Sequence, residues 1–240
     1  MSFFDFTRNP TKALRKLSPA QYGLVAVIAA VVLGMVVEAM KGPEPPTDPE
    51  ALALIEPLTR SFETLAFGPA DAPVSERLAK WRGRVRVELE GDTGLLGAEV
   101  QDLVGELGDL SGLEITFVAP GERATLVVTR DEDAAGGCGL ELEPPEGGVI
   151  ERTVLTLGTA LAPEQQHACL ASGLSRALGL PGTSELLTPS VFSPEAAATE
   201  LSTTDRLLIR ALYDIRLRPG MSRKVAMGEV REVFPDLLRN

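Results

Sequence analysis

The chain holds a single histidine, His167, and two cysteines, Cys138 and Cys169. With one imidazole, zinc sites built on a histidine pair are excluded. Cys138, Cys169 and His167 together would offer two thiolates and an imidazole to zinc, but no fourth ligand is evident. Two cysteines are too few for a disulfide scaffold and enough for one bridge. Ser172 is the sharpest nucleophile candidate. It lacks the G-x-S-x-G turn that presents an activated serine, and no second histidine exists to act as its base. Carboxylate pairs such as Glu141/Glu143 are expected by chance among 34 acidic residues. The run Asp131-Glu132-Asp133 lacks the glycine and closing glutamate of an EF-hand loop, so its ordinary reading is a solvated loop. These residues predict no catalytic group, no metal site and no cofactor.

Most of the candidates fall on or beside one stretch, Pro163 to Gly182, PEQQHACLASGLSRALGLPG. Its pattern predicts an amphipathic helix. Pro163 suits the first helical position, where its missing N–H costs nothing. Glu164 sits favourably in the first turn. Leu170, Leu174, Ala177 and Leu178 form one apolar stripe. Gly179 and Pro181 end the helix. His167 then reads as a surface or helix-start residue.

The net charge is −11 over 240 residues, with a pI near 4.7. The length suits one globular domain with extra segments. An acidic chain repels phosphate backbones, which argues against nucleic acid as a partner. The charge is uneven: residues 1–20 carry Arg8, Lys12, Arg15 and Lys16 against Asp5, a net of +3, leaving −14 for the rest. A short basic head on an acidic body is a topology signal.

Residues 1–19 read as a basic cytoplasmic N-terminus. Ala20 to Val37 runs 18 residues without a charge, and the segment 20–40 is predicted to be a transmembrane anchor. The flanking charges place the N-terminus in the cytoplasm and the rest outside, in the periplasm of a bacterial inner membrane. The competing reading is a cleaved signal peptide, which VEAMKG suits poorly as a cleavage site. Gly23, Ala26, Ala30 and Gly34 put small residues on one face, where another helix could pack closely. The bland alternative is that such residues are common in bacterial anchors. Residues 41–50, KGPEPPTDPE, form a stiff Pro-rich linker. An extracytoplasmic cysteine pair is ordinarily oxidised, which favours a Cys138–Cys169 disulfide over a zinc site.

The domain 51–240 follows. A helix is predicted from Ala51 to Phe67, with Pro57 as a difficulty. SERLAKW reads as a short helix leading to Trp81. RVRVELEG alternates as a half-buried strand. Leu95 to Leu110 is helical in pattern, weakened by three glycines. Leu113 to Pro120, Ala124 to Asp131 and Val149 to Gly158 read as strands, and DEDAAGGCGL as a loop carrying Cys138. Leu201 to Asp214 is a capped helix. Asp205 is its helix-start charge and Asp214 its end. A final helix runs from Ser222 to near Pro235.

This order of elements resembles that of zincin metallopeptidases. ALGLPG at Ala177 to Gly182 resembles the HALGL-type end of a zincin active-site helix. LSTTDRLLIRALYD resembles the LS-x-x-D…LY closing helix of matrixin-like domains. Taken with WRGRVRV at Trp81, the cysteines around a strand, SVFSP and RPGM, the chain is most similar to the domain-of-unknown-function 2927 family, a divergent zincin relative. The likeness covers roughly Leu58 to Met221. A zincin needs H-E-x-x-H, two imidazoles for zinc and a carboxylate to activate water. Aligned on Leu178-Gly179, those positions are Ser172, Gly173 and Arg176. The resemblance thus implies a degenerate motif and a possible groove rather than hydrolysis.

The expected fold is α+β: one N-terminal transmembrane helix, then a zincin-like domain of mixed sheet and helices. The expected function is that of a non-catalytic accessory subunit, assembly factor or scaffold, partnered by an integral membrane protein complex and the lipid bilayer. A hydrolase with an unrecognised site and an envelope- or peptide-binding module are the alternatives.

Overall fold

The computed structural model describes residues 48–68, 75–90, 97–131, 137–143, 147–194 and 198–239. They belong to one compact unit, Pro46–Asn240. The anchor 20–40 and its packing residues Gly23, Ala26, Ala30 and Gly34 lie outside the described residues. Among the described residues no helix is long and apolar enough to cross a membrane.

The fold is a mixed α+β arrangement. Its elements are α1 (Pro49–Phe67), β1 (Lys80–Trp81), β2 (Val85–Leu89), α2 (Gly97–Ser111), β3 (Ile115–Phe117), β4 (Leu126–Asp131), β5 (Cys138–Leu142), β6 (Val149–Ile150), β7 (Thr153–Gly158), α3 (Pro163–Ala177), α4 (Thr203–Leu212) and α5 (Arg223–Leu237). Five strands form one sheet in the order β3-β2-β4-β7-β5. The first four run parallel, and β5 joins β7 antiparallel at the edge. Along β7 buried Thr153, Leu155 and Leu157 alternate with half-buried Val154 and Thr156, so one face of the sheet carries the core. α2 is the crossover between parallel neighbours β2 and β3. A separate parallel pair joins β1 to β6.

α3 packs on β5, β7 and α2, while α1, α4 and α5 pack together. One apolar core joins both groups, including Trp81, Leu155, Leu174, Phe192, Leu208 and Phe234. Phe62 on α1 meets Phe234 on α5 edge to face, with ring centroids 6.3 Å apart. α1 begins two residues before the predicted start, capped by the Asp48 carboxylate, which accepts from the Glu50 N–H at 3.0 Å. Pro57 stays inside this helix. The carbonyl it deprives belongs to exposed Ala53, where water can take its place.

Three predicted elements differ. SERLAKW is extended rather than helical: Leu78 donates to Met221 O, and Lys80 donates to Gly148 O across the β1–β6 pair. These tertiary bonds outweigh a weak local helix preference. The expected strand Val149 to Gly158 is two strands, because exposed Glu151 and Arg152 bend the chain from one sheet into the other. Cys138 lies in strand β5, not in a loop. Gly139 carries no β signature of its own, and its pairing opposite Thr156 on β7 places it.

Candidate functional site

α3 is held at its C-terminal end by groups far away in sequence. The Trp81 indole donates to the Ala177 carbonyl at 2.9 Å, and the Tyr213 hydroxyl donates to the Leu178 carbonyl at 2.9 Å. These bonds satisfy two carbonyls that the helix leaves without intrahelical partners. Gly179 follows at φ +121°, and a Cβ there would overlap the Ala79 carbonyl. Only glycine fits this stop.

Cys169, Ser172 and Arg176 share one face of α3, at i, i+3 and i+7. Cys169 is disulfide-bonded to Cys138 on β5, with the Cα atoms 5.7 Å apart. The predicted bridge therefore ties the edge strand to the face that carries Ser172 and Arg176. Ser172 and Arg176 are half-buried. The Arg176 guanidinium turns to the end of its own helix, donating from Nε and Nη2 to the Pro181 carbonyl at 2.9 and 2.5 Å. Burial holds its pKa below the ordinary arginine value. Gly173 faces the sheet, where any Cβ would overlap the side chain of fully buried Leu155.

These residues do not fit a catalytic metal. Ser172, Gly173 and Arg176 offer a hydroxyl, no side chain and a guanidinium, with no imidazole or carboxylate among them, and a guanidinium repels a metal cation. Among the described residues no group of three or more His, Cys, Asp or Glu is placed to hold an ion. Ser172 has no base beside it, since His167 lies about 140° away around the helix at 100° per residue. The His167 Nε2 is instead 2.9 Å from the Glu99 carboxylate on α2.

Three arrangements escaped the sequence reading. The first is a hollow of about 420 Å³ where α2 and α3 meet the segment 199–206. Its signal was available: Glu99, Asp102 and Glu106 recur at i, i+3 and i+7 on one face of α2. The second is the burial of Asp205, which sits in the first turn of α4 as expected and is also fully buried. Its carboxylate accepts from Ser190 Oγ at 2.5 Å, Val191 N at 3.1 Å and Ser202 N at 2.9 Å, and Ser202 Oγ accepts in return from Asp205 N. S-x-x-D signals this capping box, but not the tie to the 190s loop.

The third is Lys80, whose Nζ donates to the carbonyls of Leu212 and Leu217 at 2.9 and 2.8 Å. It also lies 4.7 Å from the centroid of the Tyr213 ring. Desolvation lowers the Lys80 pKa to about 8, against the opposing pull of Asp214. Burial raises the Tyr213 pKa. Hydrogen bonding from Arg216 holds Asp214 below its ordinary value.

Solved structures resemble the chain at low identity, among them two of myroilysin. "Structure of myroilysin" is 16% identical with a TM-score of 0.41, covering 56% of this chain and 95% of that one. "Crystal structure of myroilysin" is 14% identical with a TM-score of 0.40, covering 71% and 98%. At TM-scores below 0.5 neither bears on the fold or the site. No curated protein matches the chain. A family model described as "Protein of unknown function (DUF2927)" matches residues 56–236, the sheet and all the helices from within α1 to within α5. The chain belongs to the DUF2927 family.

Proposed function

We propose that this protein is a non-catalytic, membrane-anchored scaffold, whose domain is a zincin relative with its metal-binding strip replaced. The domain projects outside the cytoplasm and serves an integral membrane complex as accessory subunit or assembly factor. The observation that carries the reading is the environment of Gly173 and Arg176. The position where a zincin places its general-base carboxylate is packed against Leu155. The position of its second ligand holds a guanidinium engaged with Pro181. Restoring hydrolysis would require rebuilding the core as well as the strip.

A second reading, a peptide-binding module, draws on the outer edge of β5. That strand ends the sheet, and its Cys138 is joined to the Ser172 face of α3. An extended peptide could add to such an edge.

The test is purification of the full-length protein in mild detergent, with mass spectrometry and metal analysis of the same sample. Stoichiometric recovery of an integral membrane complex is expected. A metal-loaded monomer without partners would overturn the reading.

A further inference from the structure

The hollow of about 420 Å³ lies on the opposite flank of α3 from Ser172 and Arg176. His167 and Leu170 face it, and at 100° per residue they stand about 120–180° around the helix from the degenerate strip. We propose that this hollow is a docking groove for a basic segment of a partner polypeptide, seating one lysine or arginine side chain. The proposal rests on the scaffold reading and names the chemistry of the partner.

The groove is amphipathic. Half-buried Leu103 gives it apolar surface above nearly buried Leu170 and Leu201, and Glu99, Asp102, Glu106 and Glu200 give it an acidic rim. A lysine or arginine stem can lie along leucine while its charged head stays at a polar rim. Two rim carboxylates are engaged within the fold: Glu99 with His167 at 2.9 Å, and Glu106 with Arg206 at 2.6 Å. Asp102 and Glu200 have no ion pair among the described residues, so the local field is uncompensated there. This charge complementarity selects a basic occupant and steers its approach.

The walls are already set. Arg206 lines the hollow and joins two of its other walls, bonding Glu106 and also the Leu201 carbonyl at 2.6 Å. The adjacent Asp205 fixes the Ser202 N–H at 2.9 Å. A groove ordered before binding loses less conformational freedom when a partner arrives.

The test uses the full-length protein in mild detergent and a fluorescein-labelled Ala-Arg-Ala-Ala-Arg-Ala peptide, read by fluorescence anisotropy. The double variant D102N/E200Q should weaken binding by about tenfold or more. The variant T199W, which fills the groove without changing charge, should do the same. E151Q/E232Q, which removes the same charge from distant exposed sites, should change binding by less than about twofold. Circular dichroism checks that each variant is folded.

Equal weakening by the distant pair, full binding by T199W, undiminished binding of a citrulline counterpart, or no binding to the unaltered protein would each overturn the groove. The scaffold reading fails separately. If D102N/E200Q recovers the membrane complex as completely as the unaltered chain, the scaffold stands and the groove falls. If the unaltered chain recovers no complex while the peptide data hold, the groove stands and the scaffold falls.

Discussion

The indole N–H of Trp81 donates to the carbonyl of Ala177 at 2.9 Å, joining β1 to the last turn of α3 across 96 residues of sequence. Trp81→Phe keeps most of the ring and removes the donor, leaving a buried carbonyl unpaired. A loss of about 1–3 kcal/mol is expected. Denaturant unfolding followed by circular dichroism measures it, since no other tryptophan remains to report fluorescence. A midpoint equal to that of the unaltered protein would remove Trp81 as the clamp of α3.

Gly173 tests the packing of α3 against β7. Gly173→Ala gains up to about 1 kcal/mol in helix propensity. It also overpacks Leu155, at a cost of about 1–3 kcal/mol. Net destabilisation is expected, and Leu155→Ala should cost less in the Gly173→Ala background than alone. A double-mutant cycle with no coupling between the two would show that the α3–β7 contact is loose.

Lys80 makes stability depend on pH in an unusual direction. Its folded pKa is lowered from 10.5 to about 8. Between those values the unfolded chain holds the proton and the folded chain does not, so unfolding takes up a proton. The contribution of Lys80 to stability therefore rises with pH from about 8 to about 10.5. The raised pKa of Tyr213 acts oppositely: from about 10 upward the unfolded phenol ionises before the folded one, so its contribution to stability is lost as pH rises from about 10 toward the raised value. Measurements below the tyrosine range, comparing the unaltered protein with Lys80→Met, isolate the lysine. The stability difference should shift toward the unaltered protein as pH rises, and a flat difference would exclude the lowered pKa.

The Cys138–Cys169 bridge closes a loop across a sequence separation of 31. In the chain-entropy model its removal costs about 3–4 kcal/mol. Cys138→Ala with Cys169→Ala should lower stability by about that amount. Amide exchange in β5 should rise more than in the central strand β4, because β5 is held in the sheet only by β7. Equal protection of the two strands in the variant would show that pairing alone secures the edge.

What the amino-acid sequence determined by itself is local. Pro163 and Gly179 bound α3, the Ser202–Asp205 spacing capped α4, and the apolar periodicity located most of the helices and sheet strands. These features depend on residues within a few positions of one another, so their physics is present in short stretches. Tertiary structure alone decided that Lys80 and Trp81 form a strand, since their partners are Gly148, Ala177, Leu212 and Leu217. It turned Cys138 from a glycine-rich loop residue into part of an edge strand through pairing with β7. It also faced Gly173 onto Leu155 and opened the hollow between α2 and α3. Each of these depends on which surfaces meet once the sheet closes over its helices, and burial, pairing and excluded volume act there between residues that the sequence keeps far apart.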